Sequence, residues 1–201
     1  PGVLERDIAM ELEFIMRKLG SQRNAFDIIV ASGARSALPH GVASDKPLAV
    51  GDVVTLDFGA VYQGYHSDIT RTVFLGKASQ KQRDLYGLVL EAQLAGINSV
   101  KAGRHCHEVD AVAREIIARA GYGDYFGHGL GHGVGLVIHE EPRLSPSNPD
   151  LMLQPNMVVT VEPGVYLPEF GGVRIEDMVR VTSTGCEVLT ASPKHLIELD
   201  W

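Results

Sequence analysis

Four acids in this chain sit where acids are costly. Asp57 lies near the end of the run "VVTLDFG" (53–59), and Glu162 holds the matching place in "VVTVEPG" (158–164). Each is followed by a second acid in a strand-like run, Asp68 in "SDITRTVF" and Glu176 in "VRIEDMV". A carboxylate carried into an apolar interior needs a positive partner, and two close together repel unless a cation lies between them. The stretch "FGHGLGHGVGLVIHEEP" (126–142) adds His128, His132 and His139. Four carboxylates with one or more imidazoles, His132 foremost, form an oxygen-rich donor set. Such a set suits Mn²⁺, with Co²⁺, Fe²⁺ or Zn²⁺ as alternatives. Four negative charges balance two divalent ions, and a pair of such ions makes water nucleophilic at neutral pH. The chemistry that follows is hydrolysis.

Other readings of the glycine and histidine stretch fail on spacing. GxGxxG finds no glycine five residues after the first, which removes a dinucleotide loop. HExxH starting at His139 would need a histidine at 143, where Arg143 stands, which removes a zincin helix. The glycines are expected to let backbone approach a ligand closely and to clear side chains from a pocket.

The elements that must position these residues are written twice. Ile8, Leu12, Ile15, Met16 and Leu19 fall at helical spacing, led by Gly2 and closed by Gly20. Val109, Val112, Ala113, Ile116, Ile117 and Ala120 do the same between Gly103 and Gly121. Each half therefore reads helix, strand with acid, turn, strand with acid, and residues 79–99 form a further helix. The repeat predicts two αβ units about a pseudo-two-fold axis, divided at roughly 1–78 and 79–201, with mixed sheet inside and helices outside. Acids from both halves then converge near the axis. Arg6, Asp7, Glu108 and Asp110 read as helix-start charges, and His66, His105, His107 and His195 as structural or exposed.

Composition sets the outer limits. The chain has 201 residues, 45% of them hydrophobic, which suits one large domain or two small ones. Its formal charge is -7, against a nucleic-acid partner that would ask for a basic face. No apolar run is long enough to span a membrane. Cys106 and Cys186 form no CxxC pair and no disulfide framework, as expected of a cytoplasmic protein. The opening "PGVLERD" reads as a trimmed chain whose upstream part is absent.

The five residues Asp57, Asp68, His132, Glu162 and Glu176, in that order, resemble the ligand set of the pita-bread metallopeptidases. That family comprises methionine aminopeptidase, aminopeptidase P, prolidase and the non-metal creatinase. The resemblance covers essentially the whole chain, from "GVLERDIA" to "SPKHLIEL", as a single catalytic domain without the family's amino-terminal domain. It implies an α+β pita-bread fold, with a curved mixed or antiparallel sheet and outer helices. It also implies two metals, with Asp57 on one, His132 and Glu162 on the other, and Asp68 and Glu176 shared. "ALPHGVASDKPL" (37–48), "SDITRT" and "VRIED" resemble the proline-specific branch. The implied activity is hydrolysis of the bond before proline, in Xaa-Pro dipeptides or peptides with proline second. A methionine-type exopeptidase and a non-catalytic binding module are the rivals. The resemblance gives Glu162 a proton-accepting role, His139 a hydrogen bond to the substrate carbonyl or oxyanion, and His40 and His128 the proline side. Arg174 is expected to orient a carboxylate such as Asp57. Tyr166 reads equally as pocket lining or packed core, and a homodimer is in keeping with the branch.

Overall fold

The computed structural model describes residues 1–147 and 149–200. The first half runs α1 (Glu5–Lys18), β1 (Arg23–Asn24), β2 (Ile29–Ser32), β3 (Val53–Phe58), β4 (Ala60–Tyr62), β5 (Tyr65–His66) and β6 (Ile69–Leu75). Helix α2 (Gln80–Ser99) follows. The second half runs α3 (Cys106–Arg119), β7 (Gly131–Gly133), β8 (Glu140–Leu144), β9 (Val158–Val161), β10 (Gly164–Leu167), β11 (Gly171–Arg174), β12 (Asp177–Val181) and β13 (Cys186–Val188). Strand β14 (Glu198–Leu199) then returns to the first sheet, pairing parallel with β6. The two main sheets have the orders β14-β6-β3-β2 and β13-β12-β9-β7-β8. The architecture is the α+β pita-bread fold, with α2 and α3 packed together on the larger core.

The two halves repeat their backbone hydrogen bonds. Gly2 N donates to Leu48 O at 2.8 Å and Gly103 N to Leu153 O at 2.8 Å. Ser21 N donates to Met16 O at the end of α1, and Tyr122 N to Ile117 O at the end of α3. Both helices end at a glycine with positive φ, +107° at Gly20 and +85° at Gly121, a backbone that disfavours any side chain. Both start with an acid at the third position, Asp7 and Glu108, whose carboxylate accepts from the capping N–H.

The apolar periodicity holds for α3, where Val109, Ala113 and Ile117 are fully buried. A branched side chain of that kind contributes about 1.5–3 kcal/mol when buried. It holds for α1 only in part. Ile8, Leu12 and Met16 pack on the smaller core, whereas Ile15 and Leu19 are exposed. A 14-residue helix on a small sheet covers one stripe, and residues beside that stripe stay in solvent.

The second acid of each half does not lie inside a strand. Asp68 and Glu176 each immediately precede the last long strand of their half, β6 and β12. The cross-strand registers nevertheless show that the two acids are not equivalent. Thr70 lies opposite Asp57, and Asp177 opposite Val161, which makes Thr70 the counterpart of Glu176 and Arg71 the counterpart of Asp177. These counterparts touch each other: Thr70 Oγ1 donates to Glu176 Oε2 at 2.6 Å, and Arg71 Nη2 to Asp177 Oδ1 at 2.8 Å. Residues that meet their own equivalents mark the pseudo-two-fold axis, and the acids gather there.

Candidate metal centre

One cavity of about 570 Å³ is lined by all nine residues singled out above: His40, Asp57, Asp68, His128, His132, His139, Glu162, Arg174 and Glu176. Strand β3 carries Asp57 inward, and β7 carries His132. Glu162 immediately follows β9, and its N–H donates to Leu130 O at 2.7 Å.

His132 is oriented by its backbone neighbour. Nδ1 lies 3.0 Å from the Gly133 carbonyl, which can only accept, so Nδ1 carries the hydrogen and Nε2 faces the acids. Nε2 lies 3.5 Å from Asp68 Oδ2 and 3.3 Å from Glu162 Oε1. Donor atoms of Asp68, His132 and Glu176 all fall within 4.8 Å of one another, the one such group found among the described residues.

Three carboxylate oxygens here, Asp57 Oδ1, Asp68 Oδ1 and Glu176 Oε1, are buried with no hydrogen-bond partner. An oxygen in that condition costs stability unless a cation meets it. The second oxygen of each is already engaged, by Arg174, His132 and Thr70. A hard, oxygen-rich set with three unpartnered oxygens on residues lining one cavity fits a divalent metal centre.

The proton balance shows the same crowding. Burial raises Asp68 to about 7, against the opposing hydrogen bond to His132. Burial lifts Glu176 well above the usual carboxylate range, and the charges of Asp68, Glu162 and Asp57 add to it. Burial alone would lower His132, but hydrogen bonds to Asp68 and Glu162 carry it up to about 10. Burial would raise Glu162, yet His132 outweighs it and holds that carboxyl at about 2.

Around the acids lies a chain of hydrogen bonds. Arg174 is buried and reaches Asp57 Oδ2 at 2.6 Å, Tyr166 Oη at 2.8 Å and Thr70 Oγ1 at 3.0 Å. Tyr166 donates onward to His128 Nε2 at 2.8 Å, and burial lowers His128, which stays neutral. Tyr166 therefore belongs to the cavity. The His139 ring stands edge-on to His132, centroids 4.5 Å apart, and is exposed to the cavity. His40, itself exposed, lines the cavity from the connection between β2 and β3.

Several supports gave little or no sign in the sequence. Asp110 is no helix-start charge: it is fully buried, accepts from Leu130 N at 2.9 Å, and holds Arg114 at 2.7 Å. Arg114 in turn donates to the carbonyls of Phe126 and His128, fixing the stretch that carries the histidines. Thr160, in the repeated "VVT", donates to Glu162 Oε1 at 3.0 Å and accepts from His132 N. The glycines serve both packing and pocket: a Cβ on Gly131 would lie 1.9 Å from Thr160 O and one on Gly133 2.4 Å from Glu141 O, while Gly129 and Gly131 line the cavity. His66 bonds Gly135 and Arg23, and the His105 and His107 rings meet at a tilt of 44°, all outside the cavity.

Comparison with known proteins finds relatives over nearly the whole chain. A family model described as metallopeptidase family M24 matches residues 1–183. The solved structure of an Xaa-Pro dipeptidase from Bacillus anthracis is 59% identical with a TM-score of 0.97, over 99% of this chain and 56% of that one. An X-Pro aminopeptidase from Thermotoga maritima is 49% identical with a TM-score of 0.96, over 98% of this chain and 56% of that one. The Xaa-Pro dipeptidase of Pyrococcus furiosus is 52% identical over 196 residues, 98% of this chain and 56% of the relative. The chain thus spans about half the length of the relatives it matches.

Proposed function

The chain belongs to metallopeptidase family M24, and from that premise we propose that it hydrolyses the peptide bond before proline with two divalent metal ions. The observation that carries this reading is the set of three unpartnered carboxylate oxygens beside His132 in one cavity. Relatives named Xaa-Pro dipeptidase and X-Pro aminopeptidase support the substrate class. Residues 1–201 act as one catalytic unit with halves meeting near residue 78.

Asp57, Asp68, His132, Glu162 and Glu176 would hold the ions, and Mn²⁺ suits the donors best. When bound, the pair supplies Lewis-acid polarisation of the scissile carbonyl and a nucleophilic water at neutral pH.

The chain's own residues do the rest. An Xaa-Pro bond is a tertiary amide without an N–H, so it must be gripped elsewhere. Glu162 accepts a proton from the attacking water and delivers it to the proline nitrogen, which leaves as the C–N bond breaks. His139 hydrogen-bonds the carbonyl oxygen as charge develops there. His40 and His128 line the proline side, and neutral His128 is kept in place by Tyr166. Arg174 fixes Asp57. The substrates are Xaa-Pro dipeptides or peptides with proline second, and a homodimer in the cytoplasm is the expected setting.

Mn²⁺-loaded protein given Ala-Pro, a longer Ala-Pro peptide and Met-Ala side by side tests the reading. Cleavage of the proline substrates with Met-Ala spared is expected, and the ratio of the two proline substrates separates dipeptidase from aminopeptidase. Cleavage of Met-Ala with Ala-Pro untouched would overturn it.

A further inference from the structure

Glu5, the first residue of α1, is fully buried and lies outside the cavity. Its Oε1 accepts hydrogen bonds from Ser32 N and Ser32 Oγ, each at 2.8 Å. Its Oε2 accepts from Ser44 N at 3.1 Å, from Ser44 Oγ at 2.6 Å and from the Arg35 guanidinium. Ser32, the last residue of β2, and Ser44 bracket the first part of the β2–β3 connection. This loop opens with a 3-10 turn at Gly33–Ala37, is pinned to β2 by the Ile29–Val42 bridge, and brings Pro39, His40 and Val42 to the cavity wall. Arg35, inside the loop, reaches across it as well, donating to the Val42 carbonyl at 3.0 Å. Lys46 Nζ donates to Ser32 Oγ at 2.8 Å, which turns that hydroxyl's hydrogen toward Glu5.

We infer that Glu5 is a positioning residue for the His40 wall of the substrate cavity: one buried carboxylate closes the neck of the loop that carries it. The inference rests on the Xaa-Pro reading above and adds to it a residue whose charge sets substrate affinity without touching substrate. Five donors converge on two oxygens, and only an ionised carboxylate accepts at both. Glutamine has the same shape but presents an NH₂ where one oxygen was, facing either Ser44 N–H and Arg35 or Ser32 N–H. An unclosed loop samples many conformations, and binding weakens in proportion to the fraction of protein that is competent. Chemistry after binding is untouched, because none of the five metal-holding residues lies on the loop. KM rises while kcat holds.

The test compares Glu5→Gln and Ser44→Ala with the parent in the Mn²⁺-loaded protein, by Ala-Pro kinetics, metal content and amide hydrogen exchange. For Glu5→Gln we expect KM to rise about tenfold or more, as loss of charged hydrogen bonds implies. We expect kcat and metal content to stay near the parent's, and exchange to quicken in residues 33–44 while β9 and β12 stay protected. Ser44→Ala, which removes one of the five bonds, moves KM and exchange the same way by less. An unchanged KM despite a loosened loop would overturn the inference. So would an unchanged loop, or KM, kcat and metal content failing together. If the parent itself leaves Ala-Pro intact, the Xaa-Pro reading falls, and the exchange data still decide whether Glu5 closes the loop.

Discussion

Arg174 Nη2 lies 2.6 Å from Asp57 Oδ2, a buried ion pair that joins the two halves of the chain at the candidate metal centre. The contact uses one oxygen of Asp57 and leaves Oδ1 buried without a partner. Thr70 and Tyr166 hold the same guanidinium from other sides. Burial still keeps Asp57 above its ordinary value despite Arg174. One cation on one oxygen therefore leaves the carboxylate short of compensation, which is the condition a metal relieves.

Arg174→Met should lower Xaa-Pro hydrolysis by about 10–100-fold, the usual cost of losing a group that orients a metal ligand. Arg174→Lys should recover little, because one ammonium cannot serve Asp57, Thr70 and Tyr166 together. Steady-state kinetics with a metal count measures both, and parent-like values in Arg174→Met would refute the orienting role.

Metal uptake should depend on pH. In the metal-free protein Asp68 rises from 3.8 to about 7, and His132 rises from 6.5 to about 10. Both folded values lie above the unfolded ones. Each therefore contributes stability that is complete below its unfolded value and is lost as pH climbs through its folded value. Metal competes for the same sites, so Mn²⁺ affinity should tighten from about pH 6 to about pH 10, as Asp68 and then His132 give up their protons. Calorimetric titration in two buffers of different ionisation enthalpy reads this directly. A pH-independent affinity without proton release would contradict it.

Gly131→Ala should destabilise the second sheet by about 3 kcal/mol or more, at the upper end of overpacking costs, because its Cβ would meet the Thr160 carbonyl at 1.9 Å. Gly127→Ala, with nothing within 4 Å, should be close to neutral. Thermal melts of the pair check the contrast, and equal melting temperatures would show that the strand approach is looser than described.

Asp177 holds Arg71 at 2.8 Å and Lys194 at 2.7 Å while fully buried. Asp177→Ala should cost about 3–5 kcal/mol, since it leaves Arg71 buried and uncompensated. Urea unfolding measures the loss, and a change below about 1 kcal/mol would place that pair among weak surface bridges.

The repeat made much of this legible. Asp57 and Glu162 occupy matching places because "VVTLDFG" and "VVTVEPG" form equivalent central strands, and an apolar run ending in an acid is visible without a structure. Asp68 and Glu176 both reach the cavity, but they are not equivalent: cross-strand register, which single-sequence patterns do not encode, makes Thr70 the counterpart of Glu176. Glu5 and Asp110 stayed hidden for a related reason. Each looks like an ordinary acid near a helix start, and only the neighbouring loops decide whether such an acid faces solvent or a ring of donors. The glycines of 127–135 were legible as close approaches and pocket lining, while the strand carbonyls that Gly131 and Gly133 also meet were not.

The account stands on a pair of cations held by five side chains from both halves. Titrating Mn²⁺ into chelator-stripped protein while counting bound metal and Ala-Pro hydrolysis tests this most directly, with Asp68→Ala and Glu176→Ala in parallel. The expected result is close to two ions per chain and activity that returns with them, against sharply reduced binding and no hydrolysis in either variant. A parent protein that binds no Mn²⁺, or an Asp68→Ala variant that keeps both ions and full activity, would contradict it.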